Sequence, residues 1–255
     1  MREPYAAVPS PVDDLSDADL ARLNEMLPWA AYTLDRHGRR FGRAHSPTKR
    51  STPQVIPDPR IEEFDRRYSL RDRSVLEVGC FEGIHTVALA RCGARVLAVD
   101  SRIENVAKSA VRCAAYGVSA RLAIWDVEQP ASRELPLDCD LLHHVGVLYH
   151  LLDPVAHLAR LLPHVARALM LDTHVVAPEA ATHSYDSGGA SYAYHPFRES
   201  GREDPFSGMS DHAKWLPESV LLALLAGAGF TVDEVERRSE RNGPRVLIFA
   251  RRPEC

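Results

Sequence analysis

Apolar positions change their spacing repeatedly along the chain, and those changes mark out its elements. In Ser74–Gly83 (SVLEVGCFEG), Val75, Leu76 and Val78 form a short apolar run that predicts a buried strand. Gly79 then opens a turn, and Ile84, Val87, Ala88 and Ala90 recur at the spacing of one helical face. RVLAVD reads as a second strand ending at Asp100, followed by helical spacing over Ile103–Tyr116 that stops at Gly117. ARLAIW predicts a third strand ending at Asp126, Cys139–Val145 a fourth, Val155–Leu162 a helix and Val165–Thr173 a fifth strand. Strand and helix patterns that alternate in this way imply an α/β protein with a parallel sheet and helices on both faces. Residues 175–214 break the rhythm and read as a long loop without periodicity, rich in Tyr, His, Gly, Ser and Asp. It resumes with a helix from Pro217 to Ala228, and TVDEVERRS and RVLIFARR are joined through Asn242–Gly243, a hairpin signal.

Upstream, residues 1–17 read as a loose arm, Asp17–Leu27 as a helix capped by Ser16, and Arg60–Tyr68 as a helix leading into the first strand. The chain thus divides into an N-terminal arm and helical cap, 1–69, and a domain over 70–252. The aromatics Tyr185, Tyr192, Tyr194, Phe197 and Phe206 mark 175–214 as a substrate lid.

A strand that turns on glycine into a helix aims several backbone N–H groups and the positive end of the helix dipole at one spot. An acid at the tip of the next strand, Asp100, is placed to hold the two hydroxyls of a ribose. Together they predict a site for a nucleoside-containing cofactor. Glu77–Gly79, Asp100, Asp126, His144 and Asp172–His174 all fall at carboxyl ends of predicted strands, where ligands of such sheets bind, so they are expected to converge.

Composition narrows the partners. The 255 residues, 45% hydrophobic and 26% charged, suffice for one large domain with a real core. A net charge of −4 argues against a chain whose main task is gripping nucleic acid. Arg36–Arg50 is nonetheless basic, with six Lys/Arg, two His and no acid; it reads as a solvated face, with contact to an anionic substrate or RNA phosphate as the sharper alternative. Five cysteines without a C-x-x-C pair point to a reducing cytoplasm, and no apolar run is long enough to span a bilayer.

VLEVGCFEG, VLAVD, the acid of IWDVE, GVLYHLLDP and the closing hairpin together resemble the class I S-adenosylmethionine-dependent methyltransferases over residues 70–252. FSGMSDHAKWLP and RNGPRVLIFARR are similar to stand-alone bacterial biosynthetic members; LPW and GVLYH resemble the tRNA wobble-uridine carboxymethyltransferase subgroup. The resemblance implies a Rossmann-like seven-stranded, mostly parallel sheet with a C-terminal antiparallel hairpin. It implies S-adenosylmethionine as cofactor and S-adenosylhomocysteine as product. Carried over by position, Glu77, Gly79, Cys80 and Gly83 cradle the methionine end, and Asp100 with Ser101 the ribose. Asp126 and Val127 take the adenine with Ile103 or Trp125 against the ring, and His144 stands at the fourth tip. Phe81 departs from the pattern, standing where the family usually has glycine.

Methyl transfer from a sulfonium is an in-line displacement, so orientation is the main contribution, worth roughly 7–11 kcal/mol. A base is needed only for an alcohol, phenol or protonated amine. His174 and His150 lead as bases, with His144 and His212 behind them, and Asp172 is placed to orient His174. Asp172–His174 with Asp211 and His212 offers a metal alternative, but no tight ligand motif is present and no metal is expected. The leading expectation is transfer to an oxygen or nitrogen of a small molecule in bacterial specialised metabolism, with room for a homodimer. The rivals are tRNA modification, a nicotinamide-dependent oxidoreductase and a silent binding module.

Overall fold

The computed structural model describes residues 10–44 and 50–253; residues 1–9 of the expected arm, 45–49 of the basic stretch and 254–255 lie outside it. The strands of the main sheet are β1 Ser74–Val78, β2 Arg95–Asp100, β3 Arg121–Ile124, β4 Cys139–Val145, β5 Val165–His174, β6 Thr231–Glu240 and β7 Gly243–Arg251. The helices are α1 Asp17–Met26, α2 Pro59–Tyr68, α3 Ile84–Arg91, α4 Ile103–Ala115, α5 Pro154–Leu161 and α6 Glu218–Gly227. The sheet order is β6-β7-β5-β4-β1-β2-β3, with β1 to β5 parallel and β7 antiparallel to both its neighbours. The order reverses between β1 and β4, so a crevice opens there beyond the strand tips. This is the Rossmann-like sheet expected from the sequence.

Period-two alternation sorts the sheet residues onto two faces. Val75, Leu141 and Phe249 pack with Ile61 and Phe64 of α2 and Leu89 of α3. Leu76, Leu142 and Ile248 pack instead with Val155 and Leu158 of α5 and Leu221 and Leu225 of α6. The β6–β7 hairpin forms as expected, but its two connecting residues are Arg241 and Asn242, since Glu240 already pairs with Gly243.

Two stretches are more ordered than their sequence implies. The region read as a structureless lid holds a three-stranded antiparallel sheet, His212–Trp215, Ala190–Arg198 and His183–Ser187 in that order. Its hairpin turns on Gly188 and Gly189, both at positive φ. Tyr185, Tyr192 and Tyr194 pack at its base, where the Lys214 ammonium lies 4.8 Å from the Tyr185 ring centre. Lys214 therefore braces the insertion and does not line the cavity.

The described part of the arm also folds. Pro11–Asp14 is a helical turn, and Tyr32–Leu34 pairs with Arg40–Gly42. Arg39 donates to Asp35 at 2.7 Å and Asp17 at 2.8 Å, Arg36 to Asp14 at 3.1 Å, and Arg43 lies 3.8 Å from Glu25. Arg36, Arg39 and Arg43 of the basic stretch are thus paired with acids of the N-terminal region. Glu82, fully buried in the β1–α3 turn, accepts from the Ala30 and Ala31 N–H groups and from Lys108 Nζ, which moors the arm to the turn.

Candidate active site

A cavity of about 1150 Å³ opens over the tips of β1, β2, β4 and β5 and is walled by the insertion and the β6–β7 hairpin. Of the residues expected there, Glu77, Gly79, Cys80, Asp100, Ser101, Asp126, Val127, His150 and His174 line it. Gly83 sits just behind as the N-cap of α3.

The β1–α3 turn is built by backbone geometry. Gly79 and Gly83 hold φ near +75° and +77°; a Cβ would fall 2.2 Å from Val147 Cγ2 at the first and 2.8 Å from Ser109 Cα at the second. Phe81 also stands at positive φ, +51°, in the conformation that glycine takes without steric cost. Its N–H donates to Asp100 Oδ2 at 3.0 Å, and its ring stands 5.4 Å from that of Phe206 in the insertion. Phe81 is therefore tolerated because the turn is tied at one end and its side chain is packed at the other. Cys80 is buried, with its thiol pushed up by desolvation and then by Asp100 and Glu77.

Asp100 also accepts from the Arg102 N–H at 2.9 Å and from Asn105 Nδ2 at 3.1 Å. Burial raises its pKa, against these hydrogen bonds. Asp126 accepts the Glu128 N–H through Oδ1, and Trp125 walls the cavity beside it. Ile103 is 49% exposed and outside the cavity, so of the two ring partners expected only Trp125 is in place.

Glu77 is fully buried. Thr86 Oγ1 donates to its Oε2 at 2.6 Å, Oε1 has no partner, and burial pushes its pKa up to about 8. An unpaired buried carboxyl oxygen at the head of a glycine turn fits the ammonium of a methionyl group. Asp100 and Asp126 offer acceptors for ribose and adenine, so the donor set fits an adenosyl-methionine cofactor. Ligand atoms of Glu77, His85 and His143 lie within 4.8 Å of one another. Arg60 Nη2 is 3.3 Å from His85 Nε2, so a guanidinium already stands against one of the three.

Three expectations fail. His144 is adjacent to His143 on β4, so it points to the opposite face. It is fully buried, its Nε2 lies 2.9 Å from His157 Nε2, and burial with its neighbour's charge holds its pKa far down. It is a core residue outside the cavity. Asp172 does not orient His174: it takes Arg60 at 2.7 Å, Arg238 at 2.7 Å and Arg245. Burial would raise its pKa, but Arg245 and Arg60 outweigh that and lower it. His212 pairs with Asp211 on the exposed side of the insertion, away from Asp172 and His174.

His174 is oriented by other means. Its Nδ1 lies 3.1 Å from the Pro244 carbonyl, which can only accept, so the proton is on Nδ1 and Nε2 is the acceptor. Its ring stacks on Trp215 at 4.8 Å and 6°, and Phe197 stacks on Trp215 at 4.3 Å. Burial and then Arg245 lower its pKa, which keeps it neutral. His150 faces a partner the sequence did not reveal. Glu199, 8% exposed, accepts from His150 Nδ1–H at 2.7 Å through Oε1, while Oε2 accepts from Ser207 Oγ and the Gly208 N–H. Burial would raise the Glu199 pKa, and the His150, Ser207 and Gly208 bonds outweigh it. Nothing in FRESGRED singles out this acid from its neighbours.

The comparisons with known proteins agree with this geometry. A family model described as a methyltransferase domain matches residues 48–235, and the chain belongs to that family. The ubiquinone biosynthesis O-methyltransferase of Xanthomonas euvesicatoria pv. vesicatoria is 33% identical over 97 residues, 38% of this chain and 40% of that protein. Its counterpart in Xylella fastidiosa 9a5c is 30% identical over 145 residues, 54% of this chain and 56% of that protein. The matches thus span at most about half the length of these curated relatives. Among solved structures, the N-terminal domain of EvdMO1 in the presence of SAH and D-fucose superposes with a TM-score of 0.73 at 24% identity. That match covers 94% of this chain and 98% of that one. Magnesium protoporphyrin IX methyltransferase from Synechocystis PCC 6803 with bound SAH superposes at 0.55 and 18% identity, covering 76% and 80% of the chains. The fold is that of the class I S-adenosylmethionine-dependent methyltransferases.

Proposed function

We propose that this protein transfers a methyl group from S-adenosylmethionine to a hydroxyl oxygen of a small-molecule acceptor, in a biosynthetic role inside the cell. The observation that carries the reading is the His150–Glu199 pair, a carboxylate-oriented imidazole in the same cavity as the glycine turn and Asp100. When bound, the cofactor supplies a methyl on a cationic sulfur, already activated toward displacement. Asp100 receives the ribose hydroxyls, Asp126 and Trp125 the adenine, and Glu77 Oε1 the ammonium. His150 Nε2 accepts the proton of the acceptor hydroxyl, and Glu199 holds Nδ1–H and stabilises the imidazolium that results. His174 and Trp215 form the wall against which the acceptor is aligned.

An oxygen acceptor is supported by the base pair itself, by the O-methyltransferase names of the curated relatives, and by the D-fucose of the EvdMO1 structure. Arg36, Arg39 and Arg43 are ion-paired within the chain, which weakens the support for the tRNA reading. No helix among the described residues is long and apolar enough to cross a membrane. Calorimetric titration with S-adenosylmethionine and S-adenosylhomocysteine tests the cofactor, with micromolar binding expected. Transfer of labelled methyl to a hexose and to a phenol tests the acceptor class. Binding of NAD in place of both adenosyl compounds would sink the proposal.

A further inference from the structure

We infer that Arg102 is a positioning residue that ties the ribose end of the cavity to the base at its other end. The inference rests on His150 being that base. Arg102 is 9% exposed, and every hydrogen bond its side chain makes goes to a main-chain carbonyl of one loop. Nε donates to Arg202 O at 3.2 Å; Nη2 donates to Gly201 O at 3.3 Å, Asp204 O at 3.1 Å and Gly208 O at 3.3 Å. Carbonyl dipoles satisfy a buried cation only if they converge, so the guanidinium and the curl of the loop require each other.

The same loop presents Glu199. Ser207 Oγ and the Gly208 N–H hold Glu199 Oε2, and the Ser200 N–H donates to Ser207 Oγ at 2.7 Å. The loop also lies directly on the base: a Cβ on Gly208 would stand 2.6 Å from the His150 carbonyl oxygen. An unbroken series of contacts therefore runs from Asp100 through the Arg102 main chain and guanidinium, to loop 201–208, to Glu199, to His150. Its two ends respond unequally to substitution, with the Phe206 ring on Phe81 as a further tie between the loop and the cofactor turn. The Arg102 N–H that Asp100 holds survives any replacement except proline, so the ribose acid keeps its partner. The carbonyls are released only when the guanidinium is lost.

Arg102→Ala should lower kcat by about 10- to 100-fold, since a misplaced base forfeits part of the roughly 10²–10⁴-fold that such a group supplies. Affinity for S-adenosylmethionine should fall by a clearly smaller factor, through the Phe206 contact with Phe81. Arg102→Lys should fall between, because an ammonium has fewer donors in a different geometry. Combining Arg102→Ala with Glu199→Gln should cost little more than the worse single change, because both act through one series of contacts. Methylguanidinium added to Arg102→Ala should restore part of kcat. Hydrogen exchange supplies a readout that needs no acceptor: amides 200–208 should exchange at least about tenfold faster in the Ala variant, with β1 to β5 unchanged. Unchanged protection there, or kcat and cofactor affinity falling by the same factor, would overturn the inference. Full turnover by His150→Ala would defeat the base assignment itself, and the exchange data distinguish that failure from a loop that Arg102 does not hold.

Discussion

The two ends of the cavity are assembled on different principles. At the cofactor end the decisive contacts are short in sequence and largely made by backbone: Phe81 N–H reaches Asp100 across 19 residues. At the acceptor end they are side-chain contacts over longer separations. His150 meets Glu199 across 49 residues, His174 meets the Pro244 carbonyl across 70, and Asp172 meets Arg60 across 112. A turn made of N–H groups and left-handed glycines is rigid once its strand and helix form. A base oriented by an acid, itself oriented by a loop, depends on every partner in the series. Damage at the first end should therefore appear in cofactor binding, and damage at the second in turnover.

The largest expected break comes from His150→Ala, which should reduce kcat about 10²–10⁴-fold while leaving S-adenosylmethionine affinity within about threefold. Single-turnover kinetics beside calorimetry checks it, and a parallel loss of affinity would erase the contrast. Next is a pH effect at Glu77. The unfolded chain loses this proton near 4.5 and the folded chain near 8, so between those values the folded state binds more protons and stability falls as pH rises. At about 1.4 kcal/mol per pH unit, the fall between pH 5 and 8 approaches ~4 kcal/mol. Denaturant melts should show this slope in the wild type, lose it in Glu77→Gln, and flatten it when bound ligand places an ammonium on Oε1.

Asp100→Ala comes third. It removes a buried acceptor that serves both the turn and the cofactor, and hydrogen bonds to charged groups are worth about 1.5–3 kcal/mol each. Affinity for S-adenosylmethionine should drop roughly 100-fold by calorimetry; near-parent affinity would refute the ribose role. The smallest effect is expected from Phe81→Gly. Relief of a left-handed non-glycine residue, about 1–2 kcal/mol, opposes loss of the ring contact with Phe206, about 0.5–1.5 kcal/mol. The melting temperature should move by only a few degrees, and a shift above ten would show that Phe81 does more than close the turn.

What was legible beforehand follows the same division. The β1–α3 turn, Asp100, Asp126, the strand alternation and the final hairpin were all readable, because each is a local pattern with its own period or turn chemistry. A strand tip alone does not say which face His144 takes, since one residue of register moves a side chain to the other face. Shared strand direction pairs Asp172 with His174, but it cannot register three arginines arriving from α2, β6 and β7. Lack of periodicity hides the strands of the insertion, although Gly188–Gly189, between residues that include Tyr185, Tyr192 and Tyr194, is a usable hairpin signal.

By itself the chain's pattern of apolar, glycine and acidic positions determined the sheet, its crevice and the cofactor half of the cavity, since neighbours along the chain set those geometries. Tertiary structure alone decided which histidine meets an acid, which arginines share Asp172, and how Arg102 grips loop 201–208. Those pairings join segments that only folding brings within hydrogen-bonding reach, and no local spacing encodes them.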